Sequence, residues 1–193
     1  MKQFTAYIVQ TPQTIRRYAE VQFNVFHTTA KIVGAAVSVA LVLLGGFVVK
    51  QEVPSLLLIC LGCVLFTNLK APANFTANRV IALFKGKFPT IRYRFTADGM
   101  YVNNKADPVP YSSFIRLVED ENYFYLFQST QYGSMIRKDT VGGDGSTYNL
   151  RDMLEERTGR KWTRPPTMLN FKLKNIRELF GPEDGYTGPR LGR

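Results

Sequence analysis

Few residues in this chain could do chemistry. Its 193 residues include one histidine, His27, and two cysteines in the spelling Cys60-Leu61-Gly62-Cys63. A lone imidazole without a second His, Cys or carboxylate cluster has no metal partner and no relay, and suits an interfacial side chain at the end of an amphipathic stretch. The cysteine pair spells a redox motif, but a redox thiol needs exposure and a lowered pKa at a helix start. These thiols lie inside an apolar run where a thiolate is costly, so they read as small packing residues. The carboxylates Glu119-Asp120-Glu121 read as a solvated turn and Glu155-Glu156 as a helix face. The glycine-rich stretch at 141–146 lacks the lysine of a phosphate-cradling loop and reads as a connector. No catalytic, cofactor or metal site follows, and the expectation is a non-enzymatic protein. What remains is basic charge. Lys85, Lys87, Arg92 and Arg94 lie in a stretch without an acidic residue, and such residues attract anionic lipid head groups by about 1 kcal/mol each when close to the surface.

The elements that must position these residues divide into two phases. Residues 32–49 carry no charge, and a second apolar run, 53–69, follows after Lys50-Gln51-Glu52. Eighteen helical residues rise about 27 Å, close to the hydrocarbon thickness of about 30 Å, so residues 32–69 read as a transmembrane hairpin. A soluble core helix would carry a polar stripe, and the first run offers only Ser38. Residues 1–31 have a net charge of +3, and 70–94 hold six basic residues and no acidic one. The positive-inside tendency therefore puts both termini in the cytoplasm of a multi-pass cell-membrane protein. Small residues at Gly34 and Ser38 allow a close helix partner, either the second span or a second copy of the chain.

On the cytoplasmic side, residues 1–10 read as a strand with Phe4 and Ile8 on one face, expected to join the sheet formed later in the chain. Thr11-Pro12 starts an amphipathic helix over 11–31 that runs on into the first span. Pro72 is expected to end or kink a helix, and 70–89 reads as a basic juxtamembrane helix. From 90 the period changes to two, with strands at 90–96, 100–102, 109–119, 123–129 and 134–138. Asn149 is the expected cap of a closing helix that ends at Gly159, which completes a domain over 90–162. The tail 163–193 reads as amphipathic and then disordered.

The order of these elements, with Phe95-Thr-Ala-Asp-Gly-Met100, Val109-Pro-Tyr-Ser-Ser-Phe-Ile115 and Glu121-Asn-Tyr-Phe-Tyr-Leu126, resembles the YcxB-like bacterial membrane proteins over residues 1–162. The resemblance implies a domain similar to bacterial pleckstrin-homology-like folds, a small curled sheet closed by a helix. It implies no activity and no catalytic residues.

The expected fold class is thus an α+β membrane protein, a two-helix hairpin with a cytoplasmic antiparallel domain. The net charge of +10 suggests nucleic acid, but the two membrane-flanking clusters account for all but +1 of it. Nucleic-acid binding and enzymatic activity are the weaker alternatives. The favoured expectation is a membrane-anchored interaction module that binds a protein or peptide partner, or anionic lipid through Lys85, Lys87, Arg92 and Arg94.

Overall fold

The computed structural model describes residues 3–143 and 147–165. Most of the tail expected over 163–193, and the second half of the glycine-rich connector, 144–146, lie outside the described residues.

Strand β1 (Phe4–Val9) alternates strictly, burying Phe4, Ala6 and Ile8 while Thr5, Tyr7 and Val9 face outward. It pairs antiparallel with β2 (Thr90–Phe95) over six residue pairs, from Phe4 opposite Phe95 to Val9 opposite Thr90. β3 (Met100–Val102) flanks β2, and the two residues of β7 (Gly142–Gly143) flank β1, giving the order β3-β2-β1-β7. A second sheet has the order β6-β5-β4-β8, built from β4 (Arg116–Glu119), β5 (Tyr123–Phe127), β6 (Gly133–Arg137) and β8 (Trp162–Thr163). β8 runs parallel to β4, so this sheet is mixed rather than purely antiparallel. The inward faces share one core with Leu150 and Leu154 of α5 (Thr147–Thr158). Phe95, Tyr125, Phe127 and Leu117 are fully enclosed there.

Helix α1 (Pro12–Phe26) begins at an N-cap, Thr11, that exchanges hydrogen bonds with Thr14, and Pro12 occupies the first turn, where a missing N–H costs nothing. Its two apolar faces serve different neighbours. Val21 and Val25 enter the sheet core, whereas Ile15 and Ala19 meet Ala77, Ile81, Phe84 and Phe88 from α4 (Ala71–Leu83) and the turn after it. α1 is therefore a stem held between the sheets and α4.

α2 (Thr28–Leu43) continues as a π-helical turn, Leu44–Val48, and α3 (Glu52–Thr67) packs back on it. Thr28–Val48 is long and apolar enough to cross a membrane alone, about 31 Å at 1.5 Å per residue. α3 is not: its sixteen residues reach about 24 Å, and it meets the same test only together with α4, across a 49° bend. A pair of independent spans is thus narrowed to one full-length apolar helix and a shorter, bent companion. The fold is α+β, with two sheets and five α-helices among the described residues.

Local expectations are corrected at four places. α1 does not run unbroken into α2: His27 leaves helical geometry (φ −121°, ψ 30°), and the Thr28 hydroxyl donates to the Asn24 carbonyl, the back-bonding that bends helices. The break expected at Pro72 falls earlier: α3 ends at Thr67, the chain turns over 68–70 with a 49° bend, and Pro72 stands in the first turn of α4. The strand expected over 109–119 is interrupted. Val109 bridges Met100, Pro110 has no N–H to extend the ladder, and a 3-10 turn, Tyr111–Ser113, follows, pinned by the Tyr111 hydroxyl donating to the Thr96 carbonyl at 2.7 Å. α5 begins two residues before Asn149, where the Thr147 hydroxyl donates to the Lys138 carbonyl at 3.1 Å.

Candidate functional site

Of the four basic residues singled out in the sequence, Lys85 and Lys87 lie at the end of the stem farthest from the hairpin, and Arg92 and Arg94 lie on the outer face of the first sheet. α4 runs antiparallel to α1: Lys70 pairs with Glu20, Arg16 with Asn78, and the Gln10 amide donates to the Pro89 carbonyl. The turn that carries Lys85 and Lys87 therefore sits beside the start of α1, and α4 alone is about 20 Å long. Even projected through the 49° bend, its far end is about 13 Å from the hairpin junction, beyond the screening length of about 8 Å. The segment read as juxtamembrane thus begins at the hairpin and leaves it. Lys85 (φ 47°) and Gly86 (φ 79°) make the reversal into β2.

Arg92 and Arg94 point outward from β2 beside Tyr7 and Thr5, their register partners on β1. The Arg94 guanidinium lies 4.7 Å from the centre of the Tyr101 ring. Together with Asn104 and Thr140 these side chains line a shallow groove of about 320 Å³ on the outer face of the first sheet. None of Lys85, Lys87, Arg92 and Arg94 has a carboxylate partner among the described residues. The structure thus leaves two unpaired lysines on the turn after α4 and two unpaired arginines on the outer face of the first sheet.

A larger cleft, about 830 Å³, lies between α1, the β4–β5 turn and α5. The sequence reading of Glu119-Asp120-Glu121 as a solvated turn is corrected here, because Glu119 and Asp120 are largely covered and fully engaged. Asp120 accepts from Arg17 at 3.0 Å, from the Tyr125 hydroxyl at 2.7 Å and from the Asn122 and Tyr123 amides. Glu119 accepts from Lys138 and Arg151, each at 3.0 Å. Burial alone would raise both carboxyls; the donors outweigh it and hold both below the ordinary carboxylate range. Asp120 in turn raises Arg17, while burial followed by the Asp120 bond raises Tyr125. Carboxylates whose oxygens are engaged by this many donors are held in place as ties between elements. Their work is mechanical: Arg17 ties the stem to the β4–β5 turn, and Arg151 ties α5 to the same turn. The Arg17–Asp120 pair spans 103 residues of sequence and had no local signal.

At the hairpin, small residues set the spacing. A Cβ on Gly62 would stand 2.7 Å from the Ser38 carbonyl oxygen, and one on Gly34 would stand 2.8 Å from a Leu69 methyl group. The Ser38 hydroxyl returns its proton to the Gly34 carbonyl, and the Ser55 hydroxyl reaches the Gly45 carbonyl at 2.6 Å. Ser38 is 1% exposed. The Gly34/Ser38 face considered for a second copy is therefore occupied by α3 of the same chain. Cys60 and Cys63 are exposed on α3 rather than packed between the helices. His27 is exposed at the hinge against the Phe23 ring.

Comparison with family models, with curated proteins and with solved structures finds no match to this chain.

Proposed function

We propose that this chain is a non-enzymatic interaction module, anchored by two membrane crossings with both ends in the cytoplasm, whose unpaired basic residues bind an acidic protein partner. The observation that carries the anchoring is the exposed apolar length of Thr28–Val48, and the pairing of β1 with β2 favours two crossings over one. These strands lie before and after the hairpin, so they share a sheet only if the intervening chain crosses the membrane an even number of times. Thr28–Val48 supplies one crossing by length and apolarity. α3, lengthened by its flanking turns and by Lys50 and Lys70 snorkelling at either end, supplies the return. Basic charge on both sides of the hairpin and little in the turn supports the cytoplasmic orientation. Two sheets around one core closed by α5 are compatible with the pleckstrin-homology-like domain that the YcxB-like resemblance implies.

For the partner, the unpaired charge of Lys85, Lys87, Arg92 and Arg94 calls for acidic groups. The distance of Lys85 and Lys87 from the hairpin favours a protein or peptide over the lipid head groups of the chain's own membrane. The anchoring is tested in cells, on a Cys60→Ser, Cys63→Ser background, with an impermeant maleimide. Gln51→Cys should label from outside and Asn104→Cys only after permeabilisation; labelling of both from one side overturns it. For the partner, a photo-crosslinking residue at Tyr7 should give a defined adduct that Arg92→Glu with Arg94→Glu abolishes. An adduct indifferent to that reversal removes the acidic-partner reading.

A further inference from the structure

With Lys85 and Lys87 at the far end of the stem, the part of the domain that faces the bilayer lies elsewhere. Several contacts identify it. The Arg116 guanidinium donates to the Val25 carbonyl at 3.0 Å and lies 5.7 Å from the Phe26 ring. Val25 is two residues from the His27 hinge. The Gln22 side chain donates to the Thr130 carbonyl at 2.7 Å, five residues, or about 8 Å of helix, from the same hinge. Arg116 is opposite Phe127 in the sheet, the Ile115 amide donates to the Phe127 carbonyl, and Gly133 is opposite Phe127 on the other side. Residues 115–116, 127–130 and 132–133 therefore form one end of the second sheet, at the level where the stem enters the hairpin.

The chemistry of that end is unusual for a water-facing surface. Tyr132, just before β6, is 69% exposed, and Ile115, just before Arg116 on β4, is 38% exposed. Arg116 faces no carboxylate among the described residues, and after its bond to Val25 most of its five N–H donors remain unused. An isolated exposed apolar side chain needs no explanation. An exposed Tyr, an exposed Ile and an unpaired Arg at the sheet end whose Arg116 reaches Val25, two residues before the hinge, match the composition of the head-group layer, where aromatic rings and basic side chains settle.

The geometry points to this end of the second sheet as a bilayer-docking surface: Tyr132 and Ile115 rest in the head-group layer, and Arg116 pairs with the phosphate of an anionic lipid. The inference rests on the two-crossing reading. Docking there would fix the domain upright on its stem, directing the arginine face of the first sheet away from the membrane.

The test uses the full chain without its native cysteines, reconstituted in phosphatidylglycerol bilayers, with one environment-sensitive fluorophore at a time. Fluorophores at Tyr132→Cys, Asn104→Cys and Leu57→Cys are challenged with lipids carrying nitroxides on the head group or the acyl chain. The expected result is strong head-group quenching at 132, acyl-chain quenching at 57 and neither at 104. Quenching at 57 with none at 132 overturns the docking surface and leaves the anchor standing; no quenching at 57 overturns both. Arg116→Gln should lower the docked-to-undocked ratio about fivefold in anionic bilayers and little in phosphatidylcholine, with Arg116→Lys restoring most of it. An equal loss in both lipids would reduce Arg116 to a cap on α1 and overturn the phosphate pairing.

Discussion

The hairpin and the two-sheet domain solve opposite packing problems with the same residue types. In the domain, Phe95, Leu117, Tyr125 and Phe127 are wholly enclosed, and Arg92 and Arg94 face out. In the hairpin, Phe47 is 84% exposed and Leu57 65% exposed, while Ser38 and Gly62 are buried. Water drives large apolar groups inward, at roughly 25 cal/mol per Å² of area removed. Lipid removes that drive, and close approach over small residues, with hydroxyls returned to nearby carbonyls, then holds two helices together. On the two-crossing reading proposed above, the two regions face different solvents, and each hides the side chains that its solvent favours hiding.

Substitutions break the contrast unequally. Phe127→Ala, in the core and against the Phe26 and Tyr18 rings, should cost about 3–5 kcal/mol, read by denaturant unfolding of the micelle-bound chain. A smaller loss would mean that the two sheets do not share one dry core. Gly62→Leu comes next, at about 2–3 kcal/mol, because its Cβ already meets backbone of α2. A cysteine crosslink between α2 and α3 that forms as readily as in the parent chain would show that the close approach is not needed.

Asp120→Asn should cost about 1–2 kcal/mol, since an amide serves Arg17 and Tyr125 less well. It should also flatten the acid limb of the stability profile. Glu119 and Asp120 are held below their unfolded pKa values, so their contribution is complete at neutral pH and is lost as pH falls below about 4, through the folded values. An unchanged acid limb in the variant would assign that limb to other groups. Phe47→Ala stands last, below about 0.5 kcal/mol in detergent or lipid despite removing a whole ring, because the ring has few protein neighbours to lose. A core-sized penalty there would place Phe47 in a protein interface.

Much of this architecture was legible locally. Alternation in Phe4-Thr5-Ala6-Tyr7-Ile8-Val9 and in Thr90-Ile91-Arg92-Tyr93-Arg94-Phe95 revealed two strands with one buried face each, because side chains of a strand alternate with period two. Errors arose where one residue's chemistry overrode the pattern, as with Pro110 inside an apparent strand and Thr28 at the hinge. β8 is only two residues long, too short for any period to show, and its parallel partner lies 45 residues earlier.

The candidate sites divide on the same principle. The order of residues along the chain determined that it has two apolar runs joined by a short polar turn, a polar body, few groups able to do chemistry and excess positive charge on both sides of the apolar runs. Whether Lys85 and Lys87 lie beside the hairpin or a stem's length from it depended on α4 folding back along α1, and whether Asp120 is solvated or locked depended on Arg17 arriving from 103 residues away. Hydropathy and periodicity are sums over neighbours in sequence, so they register what each segment prefers as a solvent. Pairing across the fold is decided by which surfaces meet, and only the tertiary structure carried that.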